Sequence, residues 1–185
     1  QRWLTDYAGL RKERTSHRVD LVAIRDYITP ILGAVPLRTL RKSHVLDLQA
    51  RLKSRLSRYK RPLSAKTVNN TLTLLKTMLV SAVDWDLIPA SPAASVRQLP
   101  VTKKAFAFWT AEERDRFLRF TEHRDPAFAE LVAVAAHTGL RKGELKALRR
   151  HQLDLDSRQI RVDATWCEHL RERLERTKNH EVAYV

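Results

Sequence analysis

Val68, Leu72, Leu75, Leu79 and Ala82 step along the chain by four and three residues. That spacing gathers side chains on one face of an α-helix. Ser64 stands just ahead of the stripe as an N-cap, Trp85 lies near its end, and Pro89 and Pro92 prevent continuation. A stripe this long must be covered by other elements, and the preceding segments can supply them. Leu21, Ile24 and Ile28 fall on one helical face, with Pro30 expected to end that helix. Ser43 is read as the N-cap of a further helix whose apolar positions are Val45, Leu48, Leu52 and Leu56. The first half is therefore expected to be all α.

Residues 97–106, Arg-Gln-Leu-Pro-Val-Thr-Lys-Lys-Ala-Phe, have no helical period and contain Pro100. They read as a linker, which divides the chain into 1–99, a connection at 100–106, and 107–185. Beyond it, Thr110 and Glu113 have capping-box spacing ahead of Phe117 and Leu118. Pro126 opens a helix running to about His137, and Gly139 is placed to end it in the left-handed conformation. A short helix is expected at Lys142–Leu148. Ile160 and Val162 then alternate with Arg161, a strand pattern, with weaker β character at about 170–176 and 182–185. The fold class predicted is mainly α with a small β-sheet: an all-α domain followed by part of an α+β domain.

Charge adds a functional constraint. Lys and Arg number 35 against 21 Asp and Glu, a net +14. Residues 1–100 carry 18 basic and 7 acidic side chains, whereas 101–185 carry 17 and 14. The first half is thus the one suited to a polyanion. The longest apolar run, Leu131 to Ala136, is far too short to span a bilayer. Cys167 is the only cysteine, which excludes an internal disulfide framework and any multi-cysteine zinc site. No metal or cofactor is expected.

Between Arg51 and Lys66 lie Arg51, Lys53, Arg55, Arg58, Lys60, Arg61 and Lys66, with no acid among them. Cations this close repel one another unless an anion neutralises them, and phosphates do so through charge-assisted hydrogen bonds and counterion release. On the next helix, Lys66, Asn69, Asn70, Thr73, Lys76 and Thr77 lie opposite the apolar stripe. Cations there suit phosphates, and Asn and Thr suit base edges. An ordinary solvated helix face is the other reading.

The segment His137-Thr-Gly-Leu-Arg-Lys-Gly-Glu-Leu-Lys-Ala-Leu-Arg149 puts Arg141 and Lys142 where a helix begins. The helix dipole is already positive there, so the arrangement is unfavourable unless an anion binds to the free N–H groups and the cations together. Glu144 could steady Arg141. A surface arginine in a helical hairpin is the alternative.

This segment resembles the first conserved box of the tyrosine recombinase (phage integrase) family, Thr-Gly-Leu-Arg-x-Gly-Glu-Leu, in which Arg141 matches the first catalytic arginine. Leu63-Ser-Ala-Lys-Thr-Val-Asn-Asn-Thr-Leu-Thr through Trp85-Asp-Leu-Ile-Pro-Ala-Ser-Pro-Ala is similar to the helical core-binding domain. Ile31-Leu-Gly-Ala-Val-Pro-Leu resembles that domain's first inter-helix loop, and Trp109-Thr-Ala-Glu-Glu the start of the catalytic domain. Leu153-Asp-Leu-Asp and Ile160-Arg-Val resemble the catalytic domain's first strand. Glu175-Arg-Thr-Lys-Asn-His-Glu-Val resembles the hairpin bearing the family's catalytic lysine, here Lys178, although a solvated turn lysine is the competing reading.

The resemblance implies site-specific recombination without metal or external energy. A tyrosine attacks the scissile phosphate and forms a covalent phosphotyrosine. Arg141 would contact the non-bridging oxygens, and Lys178 would protonate the leaving 5′ oxygen. The implied partners are double-stranded DNA, contacted by Arg55, Arg58, Lys60, Arg61, Lys66, Asn69, Asn70, Thr73, Lys76 and Lys142, and further copies in a homotetrameric synapse. The implied setting is the cytoplasm of a prokaryote, with no membrane. The family's later signature departs from this sequence. None of the seven histidines has Arg three residues on, and the only tyrosine after Arg141 is Tyr184, which is not at the nucleophile's position. The expectation is a fragment carrying the core-binding domain and the N-terminal part of the catalytic domain, inactive alone. A non-catalytic DNA-binding or regulatory protein on the same scaffold is the alternative, and a helix–turn–helix regulator over 128–149 a weaker one.

Overall fold

The computed structural model describes residues 2–9, 13–57, 60–102, 105–175, 177 and 181–185. It divides into two compact units, Gln1–Lys104 and Ala105–Val185. Arg58 and Lys178 lie outside the described residues.

The first unit is helical. A short π-type helix α1 (Trp3–Ala8) precedes α2 (Arg14–Ala23), which continues through a π-type stretch, Ile24–Ile28, into α3 (Thr29–Leu32). Then come α4 (Lys42–Ser54) and α5 (Ala65–Asp84). The stripe on α5 is buried as its spacing demands, and Val45, Leu48 and Leu52 of α4 join it in one core with Ile28 and Leu32. The cap is also as expected, since Ser64 Oγ accepts from Thr67 N at 3.1 Å. Trp3 of α1, whose helix the sequence pattern did not reveal, is buried and donates Nε1–H to Ser81 Oγ at 3.2 Å.

Three local expectations need correction. Pro30 does not end its helix. The π-type stretch lets Thr29 N–H bond the carbonyl of Ile24, so the proline falls in the first turn of α3 and the helix runs on to Leu32. Pro30 has no N–H for the carbonyl of Asp26 four residues back, and Arg55 Nη1 donates to that carbonyl instead, at 2.5 Å. Ser43 is not the N-cap of α4, which begins at Lys42. The backbone N–H of Arg41 donates to His44 Nδ1 at 3.1 Å, so a histidine closes that end. Leu56 lies beyond α4, 57% exposed, in a bridge to Pro62.

Leu72, only 2% exposed, sits at the centre of the α5 stripe. Leu72→Ala is expected to destabilise the chain by roughly 2–5 kcal/mol, read as a fall in the urea midpoint with little change in slope. A shift below about 1 kcal/mol would mean this stripe is not the core.

The second unit begins with α6 (Ala111–Glu122), capped reciprocally. Glu113 N donates to Thr110 Oγ1 at 3.2 Å, and Thr110 N to Glu113 Oε2 at 2.8 Å. Asp125 caps α7 (Pro126–Thr138), and Gly139, at φ +67°, ends it in the left-handed region. The short helix α8 (Lys142–Ala147) follows. Among the described residues the β structure forms two small antiparallel sheets rather than one. In the first, β2 (Gln159–Val162) lies between β1 (Leu153–Asp154) and β5 (Ala183–Tyr184); in the second, β3 (Thr165–Cys167) pairs with β4 (Glu172–Leu174). α8 packs on β3 so closely that a Cβ on Gly143 would stand 2.4 Å from Thr165 Oγ1 and 3.0 Å from the Trp166 carbonyl. Among the described residues, no helix is long and apolar enough to cross a membrane.

Candidate phosphate site and nucleic-acid interface

Arg141 is the residue before α8, in extended backbone, with its side chain 61% exposed. Glu144, one turn on, has a side chain only 8% exposed and holds Arg141 twice. Its Oε2 accepts from Arg141 N at 2.9 Å and its Oε1 from Arg141 Nη1 at 2.8 Å. Among the described residues Glu144 is the only partner of that guanidinium. One corner of the fork is therefore fixed, and its other N–H groups are left for an anion. The carboxylate also offsets the positive end of the helix, which is why the fold tolerates a cation there.

Arg141 lines a cleft of about 280 Å³. Gly139 and Leu140 form part of its wall, with Val162 from β2 and Ala183 from β5. Thr177 and Glu181 line it as well, and Thr177 Oγ1 donates to the carbonyl of Glu181 at 2.7 Å. Those two residues flank position 178 in sequence. Behind the cleft, a network that the sequence pattern did not reveal fixes the elements. Buried Gln152 accepts from Arg149 N and donates to the Arg161 carbonyl and to Asp163 Oδ1. Arg173 of β4 reaches the Ala147 carbonyl at 3.0 Å, Asp163, and Glu175. Lys142, next to Arg141, has its side chain 80% exposed, with Nζ 3.6 Å from Glu168 Oε1. Lys146 bonds the same oxygen, and that hydrogen bond holds the Glu168 carboxyl below its ordinary range.

In the first unit the basic segment forms a hairpin between α4 and α5. Ser57 N donates to the Arg61 carbonyl at 2.7 Å, and Leu63 N to that of Arg55 at 3.0 Å. Lys60 turns the chain at φ +57°. Lys60, Arg61 and Lys66 are exposed, and among the described residues none has an acidic partner. Arg55 is exposed too, but its guanidinium is anchored on the Asp26 carbonyl and lies 5.3 Å from the centroid of Tyr27.

The polar face of α5 is not uniformly open. Asn70 and Thr73 are exposed. Asn69 is buried, and both ends of its amide bond the backbone of Leu99: Nδ2 donates to the carbonyl and Oδ1 accepts from the N–H, each at 2.8 Å. With 7% of its surface exposed and its amide so engaged, it cannot read a base edge from this position, which corrects the expectation for Asn69. Lys76 is half-buried and donates Nζ to the Val96 carbonyl at 2.6 Å, and Thr73 Oγ1 accepts from Gln98 Nε2 at 2.9 Å. A polar stripe on a helix looks the same in sequence whether a ligand or the chain itself covers it.

No family model matches the chain. Over 106 residues, 56% of its length, it is 35% identical to the ICEBs1 integrase of Bacillus subtilis (strain 168), covering 29% of that protein. Over 96 residues it is 27% identical to the Shufflon-specific DNA recombinase of Escherichia coli, covering 25% of it. Over these segments the chain is homologous to both proteins. It has the integrase-like fold. A Tn1549 transposon integrase, solved in complex with transposon right end DNA, superposes on the whole chain with a TM-score of 0.78 at 20% identity, over 59% of its own length. A lambda integrase, solved as a tetramer bound to a Holliday junction, superposes with a TM-score of 0.75 at 14% identity, over 48% of its length. The recombinase homologue described here thus spans about half of these structures, and about a quarter to a third of its curated relatives.

Proposed function

We propose that this chain is the DNA-binding and first catalytic portion of a site-specific tyrosine recombinase. The observation that carries this is Arg141, which presents most of its guanidinium at a helix start while a buried carboxylate fixes one corner of it. Such a group suits a phosphate whose charge grows during reaction. Arg141 is assigned to the non-bridging oxygens of the scissile phosphate, and Lys178, which lies outside the described residues, to protonating the leaving 5′ oxygen. A tyrosine supplied elsewhere in the enzyme would be the nucleophile.

Duplex DNA is the proposed partner of the first unit. Arg55, Arg58, Lys60, Arg61 and Lys66 are assigned to phosphates, with Arg55 also bracing the hairpin. Asn70 and Thr73 are assigned to base edges, Lys76, whose Nζ holds the Val96 carbonyl, to the DNA backbone, and Lys142 to support of Arg141. The lambda integrase solved as a tetramer on a Holliday junction supports a four-copy synapse for the whole enzyme.

Lys60 offers a test that separates folding from binding. Its left-handed backbone costs a non-glycine residue about 1 kcal/mol. Lys60→Gly is expected to raise the urea midpoint slightly while lowering affinity for duplexes of every sequence alike and reducing the salt slope by about 1. Unchanged affinity would remove Lys60 from the interface. No binding of any duplex by the wild-type chain would defeat the proposal.

A further inference from the structure

The buried amide of Asn69 belongs to a larger device. Residues 96–99 lie across α4 and α5 as a strap tied at four points. Lys76 Nζ holds the Val96 carbonyl at 2.6 Å and Gln49 Nε2 holds that of Arg97 at 2.9 Å. Gln98 Nε2 donates to Thr73 Oγ1 at 2.9 Å, and Asn69 takes both backbone groups of Leu99. Val96 is itself buried in the core. Three of the four ties grip backbone, so they fix the path of the strap whatever its side chains. The last and strongest is the paired one, because Asn69 completes a closed ring of two hydrogen bonds with Leu99.

Immediately after Leu99 comes Pro100, where the connection to the second unit starts. We infer that Asn69 is a positioning residue that sets where this connection leaves the first unit, and so how short a tether joins the two DNA-contacting units. The inference rests on the proposed DNA binding. Measured along the chain, the seven residues 100–106 can span about 25 Å at most. Counted from Val96, where the strap begins, the eleven residues to 106 can span about 40 Å at most. The local concentration of one unit at its DNA site, once the other is bound, falls roughly as the −3/2 power of tether length. Lengthening from seven residues to eleven therefore costs about twofold in coupled occupancy, before any loss of orientation. Asn70, the neighbouring residue on α5, is exposed. Adjacent asparagines thus hold opposite posts, one fastening the tether and one open to the ligand.

The test uses the full 185-residue chain. Cleavage by trypsin after Arg97 is measured for wild type, Asn69→Ala and Asn70→Ala, alongside a hydroxyl-radical footprint on duplex DNA. Asn69→Ala is expected to speed cleavage after Arg97 about tenfold or more, because Arg97 and Gln98, though exposed, are hydrogen-bonded in place and a protease must pull that segment free to cut it. Asn70→Ala is expected to leave it unchanged. In the footprint, protections lost in Lys142→Glu mark the second unit, and those lost in Arg61→Glu mark the first. Asn69→Ala should weaken the second set relative to the first, by up to about twofold when the other three ties let go with it. A wild-type strap followed by four extra Gly-Ser residues inserted after Thr102 should reproduce that footprint without the new cleavage, which keeps the test open should Asn69→Ala fold poorly. Unchanged cleavage after Arg97 overturns the latch. Faster cleavage with an unchanged footprint, or an insertion without effect, overturns the positioning role. If wild type binds no duplex, the DNA reading and the positioning role both fall, while the Arg97 arm still decides whether Asn69 ties the strap.

Discussion

Raising the salt from 50 to 200 mM is expected to weaken duplex binding by the chain on the order of 1000-fold. The figure follows from about six neutralised phosphates, each releasing close to one condensed counterion. The described hairpin and the start of α5 supply Arg55, Lys60, Arg61 and Lys66, all exposed, and Lys142 adds a cation in the second unit. Reversing Arg61 and Lys60 together should flatten the log–log slope by about two and weaken every sequence to a similar degree. A titration by fluorescence anisotropy over four salt concentrations measures this directly. An affinity independent of salt would mean that the basic hairpin faces away from any nucleic acid, and its charge would need another explanation.

The second large effect concerns chemistry. In a recombinase that carries this chain together with a nucleophilic tyrosine, Arg141→Ala is expected to slow cleavage by about 100- to 1000-fold. DNA affinity should change little, because in its proposed role the guanidinium would act on charge that grows in the transition state. Glu144 has a side chain only 8% exposed, so Glu144→Gln should also slow cleavage, by loosening one corner of the fork while preserving the cap on Arg141 N. Single-turnover cleavage of a suicide substrate, with affinity measured in parallel, distinguishes the two effects. A matched fall in affinity would recast Arg141 as a binding contact. Lys178→Ala should be rescued by a substrate with sulfur at the 5′ bridging position, since a thiolate leaves without a proton; equal defects on both substrates would remove the general-acid assignment.

The parts legible in the sequence are those governed by period and by single-residue backbone preference. The α5 stripe, the caps at Ser64 and Thr110, the left-handed Gly139 and the strand at Ile160–Val162 all follow from local rules, and the structure has them. Pro30 escapes the proline rule because that rule assumes an unbroken α ladder, whereas the π-type stretch moves the missing donor to a turn where it does less harm. Asn69 escapes the helix-face rule because its partner is 30 residues away and is backbone, which leaves no trace in composition. The same holds for Gln152 and Arg173, whose carbonyl partners no pattern announces. The motif puts Arg141 at the start of a helix, where the structure has it, but the double grip of Glu144 on it is geometry.

The arginine that replaces a missing proline donor links two sites 29 residues apart. Arg55 tethers the foot of the basic hairpin to the carbonyl that Pro30 leaves without its usual helical partner. An N–H at position 30 would compete with the guanidinium for that oxygen, which can accept two bonds, and so loosen the brace without abolishing it. A non-proline there would trade some rigidity of the hairpin arm for mobility of its charge.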